Sequence, residues 1–311
     1  MNNLVFIGIA ILLVLVSCVF LFFSDSFIHQ KEGFIEPDPD TGKYDIEEIN
    51  KKAVIPLDIY QTWHTKDLPP KMRECVEKLK KANPEFTHHL YDENDCREFI
   101  KNNFESDVLE AFDGLIPLAY KADLWRYCIL YKKGGIYLDI KFEPIGDFKF
   151  IELVDREHFV LDRPYFDNPS LENELQLINS SNYYGKIYDY IDSSIWENKK
   201  IGLYNALLIC KPNNLVLFEC IQDIVKNVKN KFYGYHNLYP TGPGLLGKKY
   251  FKGDMNKIKD IQLFNRLKGD LIITKNKEIL KHYNEYRKEQ KIYGKSHTYY
   301  KMWHERKIYK E

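Results

Sequence analysis

The stretch YKADLWRYCILYKKGGIYLDIKFEP (120–144) constrains the fold more than any other part of the chain. Its first part, from Pro117, reads as a long helix, and Gly134-Gly135 supply the stop signal. A β-branched and aromatic run follows at once and reads as a strand. Side chains on a strand alternate, so Tyr137, Asp139 and Lys141 are expected on one face and Ile136, Leu138, Ile140 and Phe142 on the other. One face is oily and can be buried. The other carries an acid and a base at the end of an expected central strand.

The flanking sequence repeats the alternation of strand and helix. AVIPLDIYQTWH (53–64) reads as a first strand ending near Trp63. PPKMRECVEKLKKANP then places Met72, Cys75, Val76 and Leu79 on one helical stripe, with Pro84 beyond its end. EFTHHLYD (85–92) suits a second strand, and Asp92 can cap the helix DENDCREFIKNNF. Further on come HFVLD (158–162), YNALLICKP (204–212) and a helix from about Asn214 to Lys229. TGPGLLGKKY (241–250), two short β-like runs and an aromatic, basic tail complete the chain. This order predicts one α/β domain over residues 53–311.

What precedes the domain has a different character. Leu4 to Phe23 is a run of twenty uncharged, mostly apolar residues, about the length of a helix that crosses a bilayer. It lacks the basic start and cleavage site of a removed signal, so residues 1–23 are expected to be an uncleaved transmembrane anchor. Residues 24–52 are polar, include PDPDTGKYD, and read as a stem.

Lys plus Arg and Asp plus Glu number 45 each, and zero net charge removes the simplest electrostatic case for a nucleic-acid binder. Six cysteines show no CxxC pairing or regular spacing, which argues against metal and redox motifs. Five lie outside the anchor and are expected as buried thiols, with one or two disulfides open to a lumenal domain. Asn179-Ser180-Ser181 is a glycosylation triplet of a kind common by chance.

Charged residues at the carboxyl end of a strand are where open α/β sheets place ligands. Asp139 stands there, able to ligate a divalent metal or to accept from a ribose. Asp123 and Arg126 are three residues apart, hence on one helix face. Read alone, each of these is equally compatible with an ion pair on an edge strand or a solvated helix face. Taken together, PLDIYQTWH, KADLWRYCILYKKGGIYLDI, YNALLICKP, TGP and the terminal SHTYYKMW resemble glycosyltransferase family 32, the DXD-motif sugar transferases. The central segment carries the most specific part of the likeness. There Lys141 stands where the family pattern has its second Asp.

The resemblance covers roughly residues 53–303 and implies a GT-A type, Rossmann-like nucleotide-sugar transferase domain behind one N-terminal helix. Its implied reaction is retaining transfer of a hexose from a nucleotide-diphosphate sugar, GDP-mannose or a UDP-hexose, to a hydroxyl of a glycan, glycolipid or glycoprotein. It implies a type II membrane protein with a lumenal, Golgi- or ER-like catalytic domain. By the same resemblance Trp63 would stack on the base, and Asp123 and Arg126 would hold the sugar hydroxyls. Tyr137 would pack near the donor, and Asp139 would hold ribose or a metal. Asn205, Thr241 and Gly242 would line the donor and acceptor side, with Trp303 in the terminal stretch. His297 would be a metal ligand or a diphosphate contact.

Loss of the diphosphate is the main barrier in such a transfer, so positive charge near the leaving group matters most. Lys141 leaves two readings open. Either its ammonium neutralises the diphosphate directly, or Asp139 and His297 still hold Mn²⁺ or Mg²⁺ while Lys141 turns away. A protein that binds donor without turnover is a third outcome. A strand bearing Asp-x-Lys also occurs in Mg²⁺-dependent restriction-type nucleases. Zero net charge, the anchor and the lack of a clear upstream acidic partner strand count against that class.

Overall fold

The computed structural model describes residues 35–39, 41–162, 202–234, 236–266, 271–274, 277–294 and 299–311. The expected anchor (1–23), the Asn179 triplet and His297 lie outside the described residues. Among the described residues no helix is long and apolar enough to cross a membrane.

In chain order the elements are α1 (Ile46–Lys52), β1 (Asp58–Thr62), α2 (Pro70–Ala82), β2 (Thr87–Tyr91), α3 (Glu93–Asn103), α4 (Ser106–Gly114), α5 (Leu118–Lys133), β3 (Gly135–Leu138), β4 (Phe142–Pro144) and β5 (His158–Leu161). They continue with β6 (Leu203–Cys210), α6 (Leu215–Lys229), α7 (Pro243–Phe251), β7 (Leu263–Arg266), β8 (Leu271–Ile273), β9 (Glu278–His282), α8 (Tyr286–Tyr293) and α9 (Tyr299–His304). The fold is mixed α/β. The strands form one sheet in the order β2-β1-β3-β6-β5-β7-β8-β9-β4. β1 runs parallel to both β2 and β3, whereas β6 is antiparallel to β3 and to β5. β3 is therefore an interior strand, and its end is flanked on both sides.

Local chemistry accounts for the helix limits. The α2 stripe Met72, Cys75, Val76 and Leu79 is buried as the spacing predicts. At α3 the Asp92 carboxylate accepts from the backbone N–H of Asp95, while Asp95 accepts from that of Asp92, a reciprocal capping box. Asn214 caps α6 through its side-chain oxygen, which accepts from the Leu217 N–H at 3.1 Å.

Each face of the sheet has its own core. One face packs Trp125, Tyr127, Cys128, Leu130 and Tyr137 against Leu217, Ile221 and Leu246. The other buries Ile136, Leu138 and Phe142 with Phe148, Phe150 and Leu153. Part of the segment read as stem joins this second core: Ile49 of α1 is buried in it, and the Tyr44 hydroxyl donates to Glu152 at 2.9 Å. The polar composition of 24–52 hides this because only a few of its residues face inward. Five free thiols, Cys75, Cys96, Cys128, Cys210 and Cys220, are all buried.

The run expected as one strand breaks in the middle. β3 ends at Leu138, and Asp139 opens a tight turn in which the Phe142 N–H donates to the Asp139 carbonyl at 3.2 Å. The chain then leaves for the far edge, where β4 pairs antiparallel with β9. Ile140 is buried as expected, but in a third small cluster with Met72, Cys75, Tyr283 and Tyr286 rather than beside Ile136. A turn at Asp139 removes the strict alternation on which the single-strand reading depends.

The glycine pair fixes where β3 begins. Gly134 caps α5 at φ 67°, and Gly135 lies at φ 98°, where a β-carbon would come within 2.8 Å of the Asp58 carbonyl oxygen. Only glycine allows the helix to drop onto β1 this closely. Gly146 also has a positive φ, 62°, but open space around it. Gly135→Ala is therefore expected to lower stability by about 2 kcal/mol or more, and Gly146→Ala by about 1 kcal/mol. Equal losses in urea unfolding would contradict the close approach of β1 and β3.

Candidate functional site: a charged cluster at the end of β3

Asp139 follows β3 directly, and its N–H donates to the Ala206 carbonyl of β6 at 2.8 Å, which pins the carboxylate at the strand end. Its Oδ1 accepts from the Tyr137 hydroxyl at 2.7 Å and from Arg126 at 3.2 Å. Its Oδ2 lies 2.8 Å from Nζ of Lys141. Lys141 reaches Asp139 around the turn, not along a strand face. Its ammonium also sits over the rings of Tyr204 and Phe142, 5.3 and 5.4 Å from their centroids.

Arg126 connects this carboxylate to a second one. From the middle of α5 it stacks over the Tyr137 ring at 4.3 Å and donates to the Asn205 carbonyl at 2.5 Å. Its other terminal nitrogen lies 3.3 Å from Asp123, one helical turn earlier. Asp123 accepts from the Asn205 amide at 2.9 Å and from the Thr241 hydroxyl at 2.7 Å. A β-carbon on Gly242 would stand 3.2 Å from the same carboxylate, so glycine lets this turn lie directly on Asp123. The helix face carrying Asp123 and Arg126 is buried, not solvated.

Exposure grades the cluster from inside to outside. The side chains of Arg126 and Asp123 are 7% and 11% exposed, those of Lys141 and Asp139 15% and 22%. The outer pair can meet a ligand, and the inner pair holds it in place.

Burial alone would push the Asp139 carboxyl up, but Lys141, then Arg126 and the Tyr137 hydroxyl, hold it at about 2. Burial also opposes the Lys141 ammonium, yet the adjoining Asp139 carries its pKa above the ordinary lysine value. Burial pushes the Asp123 carboxyl above the usual range, against the pull of Arg126, Thr241 and Asn205.

Asp123, Arg126, Tyr137, Asp139, Lys141, Asn205, Thr241 and Gly242 thus come together in one connected network. Trp63 is half-buried beyond β1 and packs on the small cluster that holds Ile140. Its indole N–H is buried without a hydrogen-bond partner among the described residues. Trp303, in α9, donates to the Tyr233 carbonyl at 2.7 Å and packs on the larger core. No contact described for Trp303 reaches Asp139. Sequence reasoning missed Tyr204 and Tyr127, which accompany Lys141 and Asn205; the Tyr127 hydroxyl accepts from Asn205 at 3.0 Å. Both lie inside the motif segments, but tyrosines in a chain with 23 of them give no signal of their own.

Residues 69–160 match the family model described as a glycosyltransferase sugar-binding region containing a DXD motif. The matched stretch is less than half of the chain. Over 100 residues the chain is 39% identical to an uncharacterized glycosyltransferase of Acanthamoeba polyphaga mimivirus, covering 30% of this chain and 40% of that protein. It is 34% identical over 114 residues to inositol phosphoceramide mannosyltransferase 3 of Schizosaccharomyces pombe, covering 37% and 31%. Over 221 residues it is 22% identical to the initiation-specific alpha-1,6-mannosyltransferase of Candida albicans, covering 68% and 57%. In each case the chain spans less than two thirds of the relative's length.

The matched sugar-binding region contains no Asp-x-Asp triplet; Asp139-Ile140-Lys141 is its nearest equivalent. Mn²⁺ or Mg²⁺ needs several oxygen ligands free to point at it. Here both Asp139 oxygens are engaged by donors, and an ammonium takes the place of a second carboxylate. Among the described residues no three His, Cys, Asp or Glu side chains gather as a metal cluster. Among the described residues this donor set does not fit a divalent cation.

Because the Asp139 pKa is lowered on folding, its stabilising contribution is present above the ordinary carboxylate value. It is lost as pH falls from about 4 through about 2. The wild type should lose on the order of 2 kcal/mol more than Asp139→Asn across that interval. At pH 7 Asp139→Asn leaves the Lys141 ammonium without its carboxylate, Arg126 keeping Asp123, and is expected to cost about 3 kcal/mol, while Asp139→Asn with Lys141→Met recovers part of it. Chemical denaturation of the two variants from pH 2 to 7 checks both; an Asp139→Asn protein as stable as wild type at pH 7 contradicts the network.

Proposed function

We propose that this protein is a hexosyltransferase, mannosyl donors first among its substrates, which moves a sugar from a nucleoside-diphosphate donor to a hydroxyl acceptor. The observation that carries this reading is the cluster itself. A carboxylate and an ammonium, the two most exposed members, lie at the carboxyl end of an interior strand of the matched region. An open sheet presents a ligand in that place. Two of the relatives above are mannosyltransferases by name and differ in the acceptor named or implied, which favours a shared donor chemistry over a shared acceptor.

In this reading the domain is of the GT-A type and the transfer retains configuration. The bond between the sugar's anomeric carbon and the diphosphate oxygen breaks, the acceptor oxygen bonds to that carbon on the same face, and the acceptor's proton passes to the departing diphosphate. The nucleoside diphosphate departs with the bonding pair. Lys141 stabilises the charge growing on the departing phosphate. Asp139 positions Lys141, and Tyr137 and Arg126 in turn hold Asp139 in place. Asp123, Asn205, Thr241 and Gly242 fix the wall beside it. Trp63, packed against the cluster that holds Ile140, offers a flat ring for the base. We extend the same proposal to a membrane anchor over 1–23, on the strength of the uncharged run Leu4–Phe23, a stem over 24–52 whose Tyr44 and Ile49 pack on the domain, and a lumenal catalytic domain over 53–311.

Incubating the full-length protein with GDP-mannose, UDP-galactose and UDP-glucose and measuring released nucleoside diphosphate tests the reading. GDP-mannose is expected to be turned over fastest. Arg126→Lys, which cannot reproduce the forked contacts, should lower kcat/KM by about tenfold or more. Absence of turnover with every hexose donor would contradict a transferase.

A further inference from the structure

We infer that the Lys141 ammonium takes over the work of a divalent cation in this sugar-binding region, so that the protein binds its donor's diphosphate without a metal. This rests on the transferase reading above and concerns the same site.

Charge balance is the first support. Two carboxylates of an Asp-x-Asp triplet carry two negative charges, and a divalent cation cancels them. Replacing the second carboxylate by a lysine moves the local charge by two positive units, the same amount the cation would bring. Asp139 and Lys141 together are neutral without any ion, as Asp123 and Arg126 are behind them. A metal added to this set would sit beside an ammonium and a guanidinium, with both Asp139 oxygens already engaged.

The placement of Lys141 is the second support. An exposed lysine would waver in solvent, but this one is held by Asp139 and by the rings of Tyr204 and Phe142, with its tip among the outer members of the cluster. An ammonium has three N–H donors. The bond to Asp139 uses one, leaving capacity for phosphate oxygens, and a lysine serves phosphate well as a point charge. The electron-rich face of the Tyr204 ring, 5.3 Å from the ammonium, favours its charged form. The ammonium is thus ready at the place where a leaving diphosphate needs positive charge.

Calorimetric titration of the full-length protein with GDP and with UDP, once in EDTA and once with Mn²⁺, tests the inference. At least one nucleotide is expected to bind with a Kd that agrees between the two conditions to within about threefold. Lys141→Gln should weaken binding by about tenfold or more in both conditions, as loss of a charged hydrogen-bond partner implies. Lys141→Asp, which rebuilds the two-carboxylate triplet, should bind only when Mn²⁺ is present. Wild-type binding that vanishes in EDTA and returns with Mn²⁺ overturns the inference, and so does Lys141→Gln binding as tightly as wild type. If neither nucleotide binds in either condition, the transferase reading itself fails. Should Lys141→Asp not fold, the two wild-type titrations still decide.

Discussion

The carboxylate of Asp139 is the contact on which the site depends. It joins a side chain from α5, a hydroxyl from β3 and an ammonium from the turn after β3, while its own N–H is tied to β6. Four pieces of chain distant in role therefore share one small group. Such an arrangement is stable only while every charge has its counterpart, because an unpaired buried charge is far more costly than a paired one. Aspartate here is fully ionised and fully answered. That balance sets the geometry of everything around it.

The fold supplies this geometry through close approach. Gly135 lets β3 lie against β1 with no side chain between them, and Gly242 lets the turn before α7 rest on Asp123. α5 then carries Asp123 and Arg126 down to the sheet at a depth where water cannot compete for them. The rigid inner pair leaves the outer pair, Asp139 and Lys141, as the surface a ligand would meet. Charge strength and position are both decided by burial on one side only.

Much of this was legible in the sequence. The Met72, Cys75, Val76 and Leu79 stripe, the Asp92 cap and the glycine stop after α5 are local signals, and local signals determine helices well. The link between Asp123, Arg126 and Asp139 was legible through the motif that contains all three. The break of the strand at Asp139 was not. Apolar residues on both sides of it satisfy alternation, and only the pairing of Phe142 with β9, some 140 residues away, shows that the chain has left the sheet's centre. Tyr204 was missed for a related reason: its neighbour Lys141 is distant in sequence, so no spacing connects them. α4 does carry a helical stripe, Val108, Ala111 and Phe112, which sequence reasoning passed over as a link between α3 and α5, whereas β9 lacks strand alternation and is defined by what it packs against. The inward contacts of residues 35–52 were masked by a polar composition.

A crystal structure of the protein with bound GDP and Mn²⁺, with anomalous data collected at the manganese edge, tests the metal-free site most directly. Lys141 Nζ should lie about 3 Å from a phosphate oxygen, with no manganese peak beside Asp139. A manganese peak bridging Asp139 and the diphosphate, with Lys141 turned away, would contradict it.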